Sequence, residues 1–136
     1  MRAMESDIVV DVKDVHREFR LGGEVVRALQ GITLQIRRGE YLSIMGPSGS
    51  GKTTLFNMIG GLDAPTRGTV TLLGLEMGRM PSHLAARLRC RKVGYIFQSY
   101  NLIPVLTALD NVALPSLLMG YPQAEARERA AAKLTR

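Results

Sequence analysis

One run of nine residues, 46–54, limits what this chain can fold into more than any other segment. It reads Gly-Pro-Ser-Gly-Ser-Gly-Lys-Thr-Thr, which contains the spacing G-x-x-x-x-G-K-[ST]. Glycines in such a run let the backbone turn tightly enough for successive N–H groups to face one anion. The apolar residues at 41–45 predict a strand before it, and the spacing of Leu55, Met58 and Ile59 predicts a helix after it. We therefore predict a phosphate-binding loop rather than an ordinary glycine–serine turn.

The residue types of this loop each suit a part of a nucleotide. The side chain of Lys52 can reach the β- and γ-phosphates, and the Thr53 hydroxyl can complete a magnesium shell. The N-terminal dipole of the following helix would add positive potential. The predicted nucleotide-binding residues of the loop are Gly46, Pro47, Ser48, Gly49, Ser50, Gly51, Lys52, Thr53 and Thr54.

The composition of the 136-residue chain argues against several other classes of protein. No stretch approaches the roughly 18 apolar residues of a membrane span, and no signal-peptide pattern is visible, so we expect a cytoplasmic protein. The net charge is +6, but the basic residues form no stripe with interleaved aromatic residues. We therefore expect no nucleic-acid partner.

The strand pattern predicts an α/β organisation. Residues 8–12, 32–36 and 69–73 are rich in β-branched or alternating apolar residues, which is typical of strands with one buried face. Residues 41–45 and 93–97 are more continuously apolar, and we expect them to be short buried strands.

Helix signals follow the loop. We predict helices over 82–91, after a cap at Thr107 and after Pro122, and we expect Pro115 to kink or end the second of these. We interpret Asp63 and Asp110 as turn and cap residues rather than catalytic acids.

Several motifs in register resemble those of the ATP-binding cassette (ABC) ATPases. The segments are 45–55, 61–68, 97–102 and 106–112, and the likeness extends from Val12 to Gly120. They are similar to the macrolide-export and lipoprotein-release branch of that family. The resemblance implies an α/β fold of the P-loop NTPase type, with an N-terminal antiparallel β part, an incomplete core and the start of a helical subdomain.

The same resemblance implies a division of the chain. Residues 1–136 would form a partial ABC ATPase domain. Within it, 8–98 would be the nucleotide-binding core and 99–136 the start of the helical subdomain.

The resemblance also implies roles for two residues outside the loop. Phe19 occupies the position of an aromatic residue, usually tyrosine, that stacks on adenine; the alternative is an aromatic residue that only packs. Gln98 occupies the position of the Q-loop glutamine, which contacts magnesium or orients the attacking water; the alternative is a surface glutamine. ATP and Mg²⁺ are the implied cofactors, with Lys52 and Gln98 as catalytic residues and Thr53 and Gln98 as metal-binding residues.

The implied partners are a membrane-spanning permease subunit or domain and a second copy of the cassette. Residues 99–121 resemble the segment that receives a coupling helix from the membrane partner. Tyr100, Leu102, Ile103 and Leu106 are then partly exposed contact residues; otherwise they are core residues, and the sequence leaves both possibilities open. We expect the protein at the inner face of the cell membrane, bound peripherally.

Three family motifs are missing from the sequence: the signature segment, the acidic Walker B strand with its glutamate, and the switch histidine. The acids after Gln98 are Asp110, Glu125 and Glu128, and none follows an apolar strand. We expect the front part of an ATPase that couples ATP hydrolysis to export or lipoprotein and lipid extraction, inactive by itself. The alternatives are a P-loop kinase that uses the arginines at 79–92 and a non-catalytic nucleotide-binding module.

Overall fold

The computed structural model describes residues 7–97 and 99–135. The chain divides into two compact units, with the boundary between Ala85 and Ala86. The first unit contains a sheet and the helix that follows the glycine-rich loop, and the second consists mainly of helices. The predicted functional boundary at residue 98 stays a prediction.

Antiparallel strands form the sheet of the first unit. Their order across the described sheet is β2-β1-β3-β4, and their bounds are Ile8–Leu21 for β1, Glu24–Arg37 for β2, Arg67–Leu72 for β3 and Leu75–Glu76 for β4. Gly22 and Gly23 connect β1 to β2 with φ angles of +55° and +93°, as a two-residue turn between twisted strands requires. The strands predicted at 8–12, 32–36 and 69–73 are confirmed.

The core of the first unit lies between the sheet and helix α1, Lys52–Ile59. Alternation along β1 buries Val10 and Val12. A bulge after Val12 shifts the alternation by one residue, so that Val15 is buried as well. The other buried residues of this core are Leu29, Leu55, Met58, Val70, Leu72 and Met77. A short 3₁₀ helix, Met77–Arg79, follows β4. Because α1 packs on the sheet, the loop before it is held by the core.

Residues 41–45 and 93–97 do not form the expected strands. Tyr41 is 94% exposed and Met45 is 88% exposed, so the first run is not buried either. A parallel strand exists only through hydrogen bonds to a neighbouring strand. Within residues 7–97 and 99–135 no strand pairs with either run. Apolar sequence alone is therefore insufficient to form a strand.

The helices of the second half are α2, Ser82–Lys92, α3, Ala108–Leu118, and α4, Gln123–Leu134. In the second unit Ala113, Ala126 and Ala130 are buried where α3 meets α4, with Leu109 and Tyr121 packed against them. The small alanine side chains let the two helices approach closely. All three helices agree with the sequence-based predictions.

The cap predicted at Thr107 is confirmed, and of the two effects expected of Pro115, a kink or an end of the helix, the end is wrong. Thr107 caps α3, since its Oγ1 accepts a hydrogen bond from the Asp110 N–H at 3.1 Å. Pro115 does not end α3 after two turns. The helix continues to Leu118, because proline removes only its own N–H bond and the Met119 N–H still donates to the Pro115 carbonyl at 3.1 Å.

Candidate functional site

The glycine-rich loop is fixed to the sheet at its last glycine. Gly51 directly precedes α1 and has a φ of +86°, in the left-handed region that favours glycine. A Cβ atom at Gly51 would lie 2.4 Å from the carbonyl oxygen of Ala28 in β2. Glycine is therefore required here both by the backbone conformation and by the close approach of a strand.

Two further contacts shape the loop. The Ser50 N–H donates to the Pro47 carbonyl at 3.3 Å, which closes a turn over Ser48 and Gly49. A Cβ atom at Gly46 would lie 2.7 Å from the Ser50 Oγ, so the two ends of the turn are close together. The loop is a compact structure rather than an extended connection.

Most backbone N–H groups of the loop and of the first turn of α1 have no partner among residues 7–97 and 99–135. Within the described residues, no protein group accepts a hydrogen bond from the N–H of Ser48, Gly49, Gly51, Lys52, Thr53 or Thr54. The first turn of α1 contains no acidic residue. A helix N-terminus with free N–H groups and no local carboxylate favours an anion.

The ammonium group of Lys52 lies inside the loop. Its Nζ donates to the carbonyl oxygens of Gly46 at 2.8 Å and Pro47 at 2.7 Å, and it is 3.4 Å from the Ser50 Oγ. An ammonium has three donors, and the contact with Ser50 is long enough to be exchanged. The loop's own carbonyls therefore hold the Lys52 ammonium, and the contact with Ser50 is the one that a phosphate oxygen could replace.

The Thr53 side chain is exposed in the first turn of α1. Within the described part of the chain its hydroxyl makes no hydrogen bond, whereas the Thr107 and Thr135 hydroxyls are engaged in helix-end contacts. A free hydroxyl beside the loop is compatible with the predicted contact to magnesium. Thr54 is half-buried beside it.

Phe19 lies in β1, half-buried, opposite Val26 of β2. Two residues further along β2 is Ala28, the residue against which Gly51 packs. Two strand residues span roughly 7 Å, so Phe19 lies on the neighbouring strand close to where the loop meets the sheet. This position is compatible with a nucleotide base next to phosphates held by the loop.

Arg17 is a residue of this region that sequence reasoning missed. Its guanidinium carbon lies 4.6 Å from the centroid of the Phe19 ring, and its Nη2 is 2.9 Å from the Asp63 Oδ1. The spacing of two between Arg17 and Phe19 in a strand was the available signal, since such residues share a face. Asp63 lies in the connection between α1 and β3, where the same oxygen accepts a hydrogen bond from the Ala64 N–H at 2.8 Å.

Gln98, predicted as a catalytic and magnesium-binding residue, lies outside the described residues. Before it, the rings of Tyr95 and Phe97 stack with centroids 5.4 Å apart and planes at 9°. Burial raises the pKa of the Tyr95 hydroxyl above its usual 10.0, an effect that nearby Arg89 opposes. After it, the apolar segment 100–106 is largely exposed, with Tyr100 83%, Leu102 63% and Val105 89% accessible.

Comparison with known proteins agrees with this geometry. A family model described as ABC transporter matches residues 29–136. An uncharacterized ABC transporter ATP-binding protein of Thermotoga maritima is 48% identical over 122 residues, 90% of this chain and 52% of that protein. The macrolide export ATP-binding/permease protein MacB of Brucella abortus is 48% identical over 126 residues, 93% of this chain and 20% of MacB.

Two further matches extend the comparison to a second branch and to solved structures. The lipoprotein-releasing system ATP-binding protein LolD of Pseudomonas fluorescens is 40% identical over 133 residues, 98% of this chain and 59% of LolD. A dimeric structure of the ATP-binding cassette MJ0796 bound to ADP and Pi is similar with a TM-score of 0.85 and 41% identity, over 93% of this chain and 56% of that one.

The chain belongs to the ABC transporter family, and its fold is that of part of an ATP-binding cassette. It spans about half the length of the Thermotoga protein. Within the described residues, no helix is both long enough and apolar enough to cross a membrane.

Proposed function

We propose that this chain provides the ATP-binding loop of an ABC transporter ATPase subunit. The observation that carries the proposal is the loop around Lys52, where an ammonium group and unpaired N–H groups converge at the start of a helix. Such a loop binds the triphosphate of a nucleotide through main-chain donors and one positive charge. Phe19, on the strand beside it, is proposed to stack on the base. Family membership argues against the alternative of a small-molecule kinase.

The residues present also fit Mg²⁺ bound together with ATP. No group of three or more His, Cys, Asp or Glu side chains in the described residues could hold a metal ion alone. Mg²⁺ in nucleotide sites is held mainly by phosphates and water with few protein ligands. The free hydroxyl of Thr53 would be one such ligand, and Gln98 is proposed as another. The bound ion would neutralise charge that develops on the transferred phosphoryl group.

Hydrolysis would use the chain's donors for electrostatic stabilisation. Lys52 and the loop N–H groups would hold the phosphates where negative charge develops, and Gln98 would orient the attacking water. Three acids form ion pairs with arginines: Asp63 with Arg17 in the first unit, and Asp110 with Arg127 and Glu125 with Arg129 in the second. We therefore propose that hydrolysis requires an acid outside this set, and that residues 1–136 alone are not competent.

We further propose that ATP turnover is coupled to a membrane-spanning partner at the inner face of the cell membrane. The exposed apolar side chains of Tyr100, Leu102 and Val105 support a contact surface in the segment 99–121. The names of MacB and LolD support macrolide-type export or lipoprotein and lipid extraction as the transport process. The dimeric MJ0796 structure supports pairing with a second copy of the cassette.

The proposal is tested by measuring ATP affinity in the full-length protein with Lys52→Ala and with Lys92→Ala as a matched control. Lys92 is exposed in α2 and makes no ion pair within the described residues. We expect Lys52→Ala to weaken MgATP binding by at least about tenfold, since one charge-assisted contact to phosphate is lost. Lys92→Ala should leave it unchanged. Equal ATP affinity in both variants would contradict the proposal, while binding without turnover in the full-length protein would favour the non-catalytic alternative.

A further inference from the structure

Arg17 links the aromatic ring proposed to stack on the base with the segment that follows α1. Its guanidinium covers one face of Phe19 at 4.6 Å from the ring centroid. Its Nη2 pairs with Asp63 at 2.9 Å, and the side chains of Arg17 and Asp63 are 25% and 29% exposed. The Arg17 Nε is buried without an acceptor in the described residues. The cation is thus partly removed from water, a condition that strengthens its attraction to the ring.

The register of the sheet places this pair beside the loop. The pairing of β1 with β2 shifts between Arg17 and Glu18, and Ala28 of β2 is left without a partner as a bulge. This bulge is the point where Gly51 packs against the sheet. Arg17 therefore lies next to the strand contact of the phosphate-binding loop, and its neighbour Phe19 lies one side-chain repeat further along.

A cation on one face of a ring changes what the other face can bind. The face of Phe19 is negative, which disfavours direct stacking with a second π system. The guanidinium offsets this charge and also fixes the orientation of the ring.

We infer that Arg17 is a positioning residue for base recognition: it holds Phe19, through the pair with Asp63, so that the free ring face stacks on the nucleotide base. The inference rests on the proposed ATP binding at the loop. Arg17 then contributes to the part of the ATP affinity that comes from the base, and not to the part that comes from the phosphates.

The test compares MgATP with magnesium tripolyphosphate, which has the phosphates but no base, by calorimetry on the full-length protein. Arg17→Met keeps the length of the side chain and removes its charge. We expect it to weaken MgATP binding about fivefold and to leave tripolyphosphate affinity unchanged. Arg20→Met in the same strand is the matched control, since Arg20 is exposed and unpaired among the described residues. It should change neither affinity.

A double-mutant cycle with Phe19→Leu sharpens the test. If Arg17 acts through Phe19, Arg17→Met should have no further effect on ATP affinity once the ring is gone. Arg17→Lys, which can keep the pair with Asp63 but lacks a planar group, should fall between wild type and Arg17→Met.

The outcomes separate this inference from the proposed function. Equal loss of ATP and tripolyphosphate affinity in Arg17→Met would show a general structural role and overturn the inference while the loop assignment stands. Unchanged affinity for both ligands would overturn it as well. Failure of the wild-type protein to bind either ligand, with no effect of Lys52→Ala, would overturn the proposed function and the inference together.

Discussion

Gly51 and Ala28 approach so closely that any side chain at Gly51 would overlap the Ala28 carbonyl oxygen, with a Cβ–O distance of 2.4 Å. This close approach places the end of the loop against β2. Gly51 is required for a steric reason as well as a conformational one. Gly49 in the same loop has a φ of +80° but open space around it, so only the conformational reason applies there.

Gly51→Ala is therefore expected to cost more stability than Gly49→Ala. Both changes place a side chain in the left-handed region, at a cost of about 1–2 kcal/mol. Only Gly51→Ala adds a clash with the sheet, which should raise its total to about 2–5 kcal/mol. The measurement is urea unfolding of the two variants against wild type. Equal losses in the two variants would show that the contact with Ala28 relaxes without cost.

The buried hydroxyl of Tyr95 gives a second prediction. It has no hydrogen-bond partner in the described residues, and an unsatisfied buried group costs about 1–3 kcal/mol. Tyr95→Phe keeps the stacked ring and should raise the free energy of unfolding by about 1 kcal/mol. Tyr100→Phe is the control, since Tyr100 is 83% exposed and should change stability little.

The same hydroxyl should affect alkaline stability. Burial raises the pKa of Tyr95 above 10.0 in the folded protein, so the unfolded chain ionises first. The stability that comes from the difference between the two pKa values is fully present below pH 10, and the protein loses it as pH rises through the folded pKa of Tyr95. Tyr95→Phe should therefore show a smaller loss of stability above pH 10 than wild type. An identical alkaline decline in both proteins would contradict a buried phenol.

Sequence periodicity predicted the elements that depend on nearby residues. The cap at Thr107 is local, so its residue type was sufficient. The strands expected at 41–45 and 93–97 failed because strand formation depends on a pairing partner far away in sequence.

The candidate site shows the same difference between local features and contacts that are distant in sequence. The loop motif predicted that Lys52 reaches the phosphates of a nucleotide, which stays a prediction, and the structure places the Lys52 ammonium against the Gly46 and Pro47 carbonyls of the loop. The arrangement of Arg17, Phe19 and Asp63 joins residues 46 positions apart. No local pattern predicts the contact between Arg17 and Asp63, because it depends on how α1 returns the chain to the sheet. The role of Gln98 stays a prediction.

Acid should weaken a contact at the opposite end of β1. Lys13 donates to Asp11 at 2.8 Å and lowers the pKa of Asp11 below its usual 3.8, with a further bond from Gln35 and some opposition from burial. The stabilisation is present above the unfolded pKa and is lost as pH falls through the folded pKa, so the window lies below about pH 4. Because the Lys13 side chain is 65% exposed, although Asp11 is only 15% exposed, the effect should be small and sensitive to salt.

The variants Asp11→Asn and Lys13→Gln test this contact. Stability of Asp11→Asn should differ from wild type at pH 6 and converge with it near pH 2. In Lys13→Gln the Asp11 carboxyl should titrate at a higher pH than in wild type, followed by its carbon chemical shift. An unchanged Asp11 titration in that variant would show that Lys13 is not the cause of the lowered pKa.

The separation of ATP binding from hydrolysis leads to the last prediction. A polypeptide of residues 1–136 contains the loop and Lys52, yet three of its twelve acids, Asp63, Asp110 and Glu125, pair with arginines, and no acid after Gln98 follows an apolar strand. Phosphoryl transfer needs a group that positions water and an acid that holds the metal, and engaged carboxylates do not provide them. We expect no steady release of phosphate from MgATP, measured under multiple-turnover conditions, with Lys52→Ala as the background control. Turnover by this polypeptide that disappears in Lys52→Ala would show that residues 1–136 already contain a complete catalytic set.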